Sequence, residues 1–96
     1  MNPVNDQVRD FLNLANLPSR FTKEQAAAYL GFDPDQINIL INEGLLKPLG
    51  KPAENGPKFF AKIDLDNVKN DRQWLSKATE AVNKYWQRRN AAKTKA

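Results

Sequence analysis

Apolar and polar positions alternate along the chain in short blocks, and each block carries its own start and stop signals. Val4, Val8, Phe11 and Leu12 recur at spacings of three and four, which predicts a short helix over residues 5–15. Leu17-Pro18-Ser19 ends it, because a proline disfavours helix at the residue before it. Thr22-Lys23-Glu24-Gln25 reads as a capping box that opens a second helix with Ala26, Ala27 and Leu30 inward. Gly31 supplies the left-handed residue that stops it. Asp33-Pro34 restarts helix at once, and the pattern runs to Glu43 and halts at Gly44. Ile37, Leu40 and Ile41 share its inner face.

The second half changes period. Residues 45–50 suit a strand, residues 51–58 are turn chemistry centred on Asn55-Gly56, and residues 58–63 return as a strand with Phe59 and Phe60 on opposite faces. A hairpin over residues 45–63 is therefore expected. Asp64 caps the helical stretch that follows, with a break near Asn70-Asp71. The last helix carries two stripes, Trp74-Ala78-Ala81-Tyr85 and Leu75-Val82-Trp86. That pattern gives an α+β fold: residues 1–70 as a compact unit, residues 71–90 as a C-terminal helix and residues 91–96 as a frayed tail. The expected core is Ala27, Leu30, Ile37, Leu40, Ile41, Leu46 and Leu65. The seam Trp74, Leu75, Ala78, Val82, Tyr85 and Trp86 either covers this core or joins a second copy in a homodimer.

Composition narrows the chemistry. The 96 residues include no cysteine and no histidine, which removes thiolate metal sites, disulfides and imidazole-based catalysis. No nucleophile, base and orienter cluster together, so a non-enzymatic protein without cofactor or metal is expected. No run approaches the roughly 18 apolar residues of a membrane span, and the N-terminus lacks a signal-peptide pattern. A cytoplasmic location follows as the expectation. Charge is uneven: residues 1–46 carry a net −3 and residues 47–96 a net +7. A polyanion would meet the second half first.

Two capped helices separated by about three residues form a helix-turn-helix pattern. Residues 21–46, FTKEQAAAYLGFDPDQINILINEGLL, resemble that element in the MerR-type and excisionase-type winged-helix families. Glu43-Gly44-Leu45-Leu46 matches the family's helix ending. Phe59-Phe60-Ala61-Lys62-Ile63-Asp64-Leu65 matches its aromatic wing strand and the start of the next helix. The likeness spans roughly residues 20–68. It implies a winged helix-turn-helix that binds double-stranded DNA, with helix 34–43 in the major groove, the wing on neighbouring backbone and dimerisation through a C-terminal helix. A small transcriptional regulator or a recombination accessory protein is the implied role.

The residues that would read bases are Gln36, Asn38, Ile39 and Asn42, on and beside the face opposite Ile37 and Leu40. Lys23, Lys47, Lys51, Lys58 and Lys62 are the candidate phosphate contacts. Family members usually carry Ser or Thr at the turn, Thr in the second helix and Arg soon after, whereas this chain has Asp33, Gln36 and Asn38. Its second helix holds no basic residue, and Asp33 and Asp35 read first as cap and dipole compensation. A protein-interaction module on the same scaffold is the alternative.

Overall fold

The computed structural model describes the backbone of residues 6–94 and the side chains of residues 9–91. Val4 and the side chain of Val8, expected on the first helix's apolar face, lie outside them. That helix, α1, spans Asp6–Leu12, shorter at its C-terminal end than its pattern suggested. It is followed by a three-residue strand, β1 (Arg20–Thr22), which the sequence did not announce.

Helix α2 (Lys23–Leu30) begins on the expected capping box. The Gln25 amide donates to Thr22 Oγ1 at 3.2 Å, and the Thr22 amide donates to Gln25 Oε1 at 2.9 Å. Gly31 adopts φ +90°, and the amides of Gly31 and Phe32 both donate to the Ala27 carbonyl at 2.8 Å. Helix α3 (Pro34–Asn42) follows after three residues. Gly44, at φ +75°, closes it in a Schellman arrangement: the Leu45 amide reaches back to the Leu40 carbonyl and the Gly44 amide to Ile41. A side chain at either glycine would be strained in that left-handed backbone.

The expected hairpin over residues 45–63 does not form. Residues 45–50 are not a strand. The return strand β2 (Phe59–Ala61) instead pairs antiparallel with β1, in the register Arg20↔Ala61, Phe21↔Phe60 and Thr22↔Phe59. The intervening loop touches β2 through one backbone bond, Leu49 N–H to the Phe59 carbonyl at 2.8 Å. Pro48, Pro52 and Pro57 lack the N–H a ladder needs, and pairing with β1 lets Phe60 bury against Phe21. Asn55-Gly56 is also placed differently. The Gly56 amide donates to the Ala53 carbonyl at 2.9 Å, so Gly56 ends a turn and has no positive φ; in this loop that conformation belongs to Gly50.

Helix α4 (Lys62–Lys69) starts two residues before Asp64, which falls in its first turn. The break at Asn70 is as expected, and Asp71 Oδ1 accepts the Trp74 amide at 3.2 Å to start α5 (Arg72–Thr94). At about 1.5 Å per residue this helix is roughly 35 Å long. It continues through Thr94, past the expected end near residue 90.

Phe21, Phe60, Ile37, Leu40 and Leu65 form the innermost core, and Ala26, Ala27, Ala78 and Val82 let the helices approach closely around them. Of the expected core, only Ile41 is half-buried rather than buried. Leu40→Ala should lower stability by about 2–5 kcal/mol, read as a shift of the urea midpoint. The open choice for α5 is resolved for part of its seam. Trp74, Ala78 and Val82 pack on the chain's own core, and Trp74 Nε1 donates to the Leu45 carbonyl at 2.9 Å while its ring meets Phe32 edge-on. Leu75 and Tyr85 are half-buried, and Trp86 is 45% exposed.

A polar clamp ties α2 to α4. Asp66 accepts from the Tyr29 hydroxyl at 2.5 Å and from Lys62 Nζ at 2.7 Å, and Lys69 Nζ lies 3.8 Å from the centroid of the Tyr29 ring. The hydrogen bonds from Lys62 and then Tyr29 hold the Asp66 carboxyl below its ordinary range. The bond to Asp66 raises both the Tyr29 hydroxyl and the Lys62 ammonium. The carboxylate's contribution is thus present above about pH 4 and lost as pH falls through its depressed value. The other two contribute fully below about pH 10 and lose that contribution as pH rises through their raised values. Asp66→Asn should therefore separate from wild type most between those limits and converge with it outside them. A constant difference in Tm from pH 2 to 11 would contradict this.

Candidate nucleic-acid interface

Helix α3 leaves one polar stripe uncovered. Asp35, Asn38 and Asn42 follow one another at spacings of three and four and are all exposed. Ile39, expected on this outer face, is not there: it is 7% exposed and turned toward Tyr85 of α5. The helix has two buried sides because α2 covers one and α5 the other, and a sequence pattern referenced to a single core face misses the second. Gln36 is half-buried beside the stripe, and its Oε1 accepts the Asp33 amide at 2.9 Å. Its carbonyl therefore serves the local cap, which leaves the two asparagines as the uncommitted amides on this face.

A shallow concavity of about 290 Å³ borders the stripe at Asn38. The start of α2 contributes Thr22, Lys23 and Glu24, and the end of the loop contributes Lys58 and Phe59. The pairing of β1 with β2 explains the meeting. Thr22 sits opposite Phe59, so Lys23 and Lys58, each one residue further out, come to the same end of the sheet. Lys58 is steadied by donation to the Glu54 carbonyl at 3.2 Å. Arg20 belongs to the same neighbourhood, its guanidinium 4.2 Å from the centroid of the Phe59 ring. That stacking keeps Phe59 partly covered while Phe60, on the opposite face, is buried.

The other lysines separate. Lys47 and Lys51 are exposed on the loop. Lys62 is not on a wing at all: it opens α4 and is engaged with Asp66. It falls out of the candidate site because helix begins at the residue where the sequence suggested that the strand continues. Arg20 was missed because nothing in its immediate neighbours signals a strand; only the long-range pairing with Ala61 gives it a position.

A second concavity, of about 420 Å³, lies at the other edge of the stripe, lined by Ile39, Asn42, Glu43, Tyr85, Arg88 and Arg89. Among the described residues no group of three acidic side chains could hold a metal ion, and no helix is long and apolar enough to cross a membrane. Comparison with protein-family models, curated proteins and solved structures finds no match to this chain.

Proposed function

We propose that this protein is a duplex DNA-binding module of the winged helix-turn-helix kind, serving as a small regulator or a recombination accessory factor. In this reading α2 and α3 form the helix-turn-helix, α3 enters the major groove, and the loop over residues 46–58 acts as the wing. The observation that carries it is the convergence of Lys23 and Lys58 beside Asn38 on the open face of α3, with Arg20 stacked on Phe59 of the same concavity. An asparagine amide pairs bidentately with adenine N6 and N7, and two asparagines one turn apart are about 6 Å from each other along the helix, close to two base steps. The cations would hold phosphates and set the register, with the bases read by Asn38 and Asn42. Asp35 and Glu24 work against affinity, so the module is expected to bind through few phosphate contacts and with a correspondingly modest salt dependence.

The test is a fluorescence-anisotropy titration of the full chain on random duplex DNA across salt concentrations. The three cations Arg20, Lys23 and Lys58 should contribute about −3 to the slope of log affinity against log salt, and any further phosphate contact about −0.9 more. Asp35→Asn should tighten binding, because it removes a charge that phosphate repels. No binding at low salt by either protein would defeat the DNA reading and leave the exposed stripe of α3 as a surface for another protein.

A further inference from the structure

Resting on the DNA-binding reading, we infer that Arg88 and Arg89 of α5 form a second phosphate-binding bank, across the open stripe of α3 from Lys23 and Lys58, so that both lips of the major groove are held. Helical geometry places the two banks. With Asn38 taken as zero, Asn42 lies at about 40°, Asp35 at about 60° and Ile39 at about 100° around the α3 axis. The concavity holding Lys23 and Lys58 meets the stripe at Asn38, and the one holding Arg88 and Arg89 meets it at Ile39 and Asn42. The stripe therefore runs between them. A helix with its side chains is about 10–12 Å across and the major groove about 12 Å wide. Cations on either flank of an inserted helix accordingly face the two sugar-phosphate backbones.

The position of the arginines on α5 is informative. Ala78, Ala81 and Val82 are buried, and Tyr85 continues their stripe, half-buried, alongside Ile39. One turn further the same stripe becomes Arg88 and Arg89, at i+3 and i+4 from Tyr85, where α3 ends. The cations thus occupy the side of α5 that faces α3, not the side that a merely solubilising charge would use. Arg89 is pre-positioned: it donates to the Tyr85 hydroxyl at 2.9 Å, and its guanidinium lies 5.7 Å and 5.8 Å from the centroids of the Tyr85 and Trp86 rings. That gives the half-exposed Trp86 a role in orienting the guanidinium. Arg88 approaches Glu43 at 3.6 Å, an exposed pair that a phosphate can displace at little cost.

The experiment compares wild type, Arg88→Ala/Arg89→Ala and Arg88→Lys/Arg89→Lys as full chains on a random 20-base-pair duplex, by anisotropy from about 0.05 to 0.3 M salt. Counterion release makes each phosphate contact worth about eight-fold in affinity at 0.1 M salt and about 0.9 in slope. The alanine pair should lose both contacts, flattening the slope by about 1.8. The lysine pair should keep most of the slope. Glu43→Gln should tighten binding by freeing Arg88. If wild type does not bind, the DNA-binding reading itself fails. If wild type binds and the alanine pair matches it in affinity and slope, only this second bank is refuted. A change in solution mass of the alanine pair by light scattering would also overturn it, by making the patch a seam between copies.

Discussion

Phe21→Ala is expected to lower stability by about 3–5 kcal/mol. The residue is fully buried, and its ring meets Phe11 and Tyr29 edge-on, each at a centroid separation of 5.0 Å. It also faces Phe60 across the only sheet among the described residues. Truncation removes the apolar area of a whole ring and opens a void bordered by α1, α2 and β2, which three separate elements would have to shift to fill. A domain of this size has a total stability near the lower end of about 5–15 kcal/mol, so the variant should be largely unfolded at 37 °C. Chemical denaturation followed by far-UV circular dichroism measures it. A loss below about 1 kcal/mol would mean that the β1–β2 pairing does not organise the core.

On the proposed DNA-binding reading, Lys23→Ala/Lys58→Ala should weaken duplex binding by roughly 60-fold at 0.1 M salt, from two lost contacts of about eight-fold each. The loss should be the same for every duplex sequence, and the salt slope should flatten by about 1.8. Asn38→Ala has a contrasting expected effect: its cost should fall on preferred sequences alone, at about 1–3 kcal/mol, with the slope unchanged. The contrast separates phosphate contact from base reading on the same concavity. Lys23 and Lys58 bear no part of the core, so the doubly substituted protein should melt close to wild type. If instead Lys47→Ala/Lys51→Ala produces the larger loss, the loop rather than the α2–β2 corner carries the phosphate contacts.

Much of the fold was legible because it is local. Thr22 with Gln25, Gly31, Asp33-Pro34 and Gly44 each fix a helix end through bonds spanning three to five residues, and all four stand where the pattern put them. Ile37 and Leu40 were readable as core for the same reason: period 3.6 needs no knowledge of the partner. The break at Asn70-Asp71 belongs to this class too.

The strand partner did not. Phe59–Ala61 is extended by its own composition, but two candidate edges competed for it, residues 45–50 nearby and residues 20–22 some 40 residues away. Pro48 interrupts the near edge, with Pro52 and Pro57 in the turn beyond it, and Phe21 supplies the far edge with a buried ring. Strand choice is therefore set by which pairing satisfies backbone donors and buries Phe60 together, and neither quantity is visible in a linear pattern. Ile39 was misplaced by the same kind of blindness, since α5 approaches α3 from a direction that α3 alone does not encode. The sequence by itself determined the limits of α2 and α3, the inner face of α3 and the basic second half of the chain. Only the tertiary structure decided that Lys23 and Lys58 meet Asn38, that Arg20 stacks on Phe59, that Lys62 turns away to Asp66, and that Arg88 and Arg89 face the far side of α3. Those meetings depend on contacts between elements distant in sequence, whose energies come from burial and pairing rather than from local propensity.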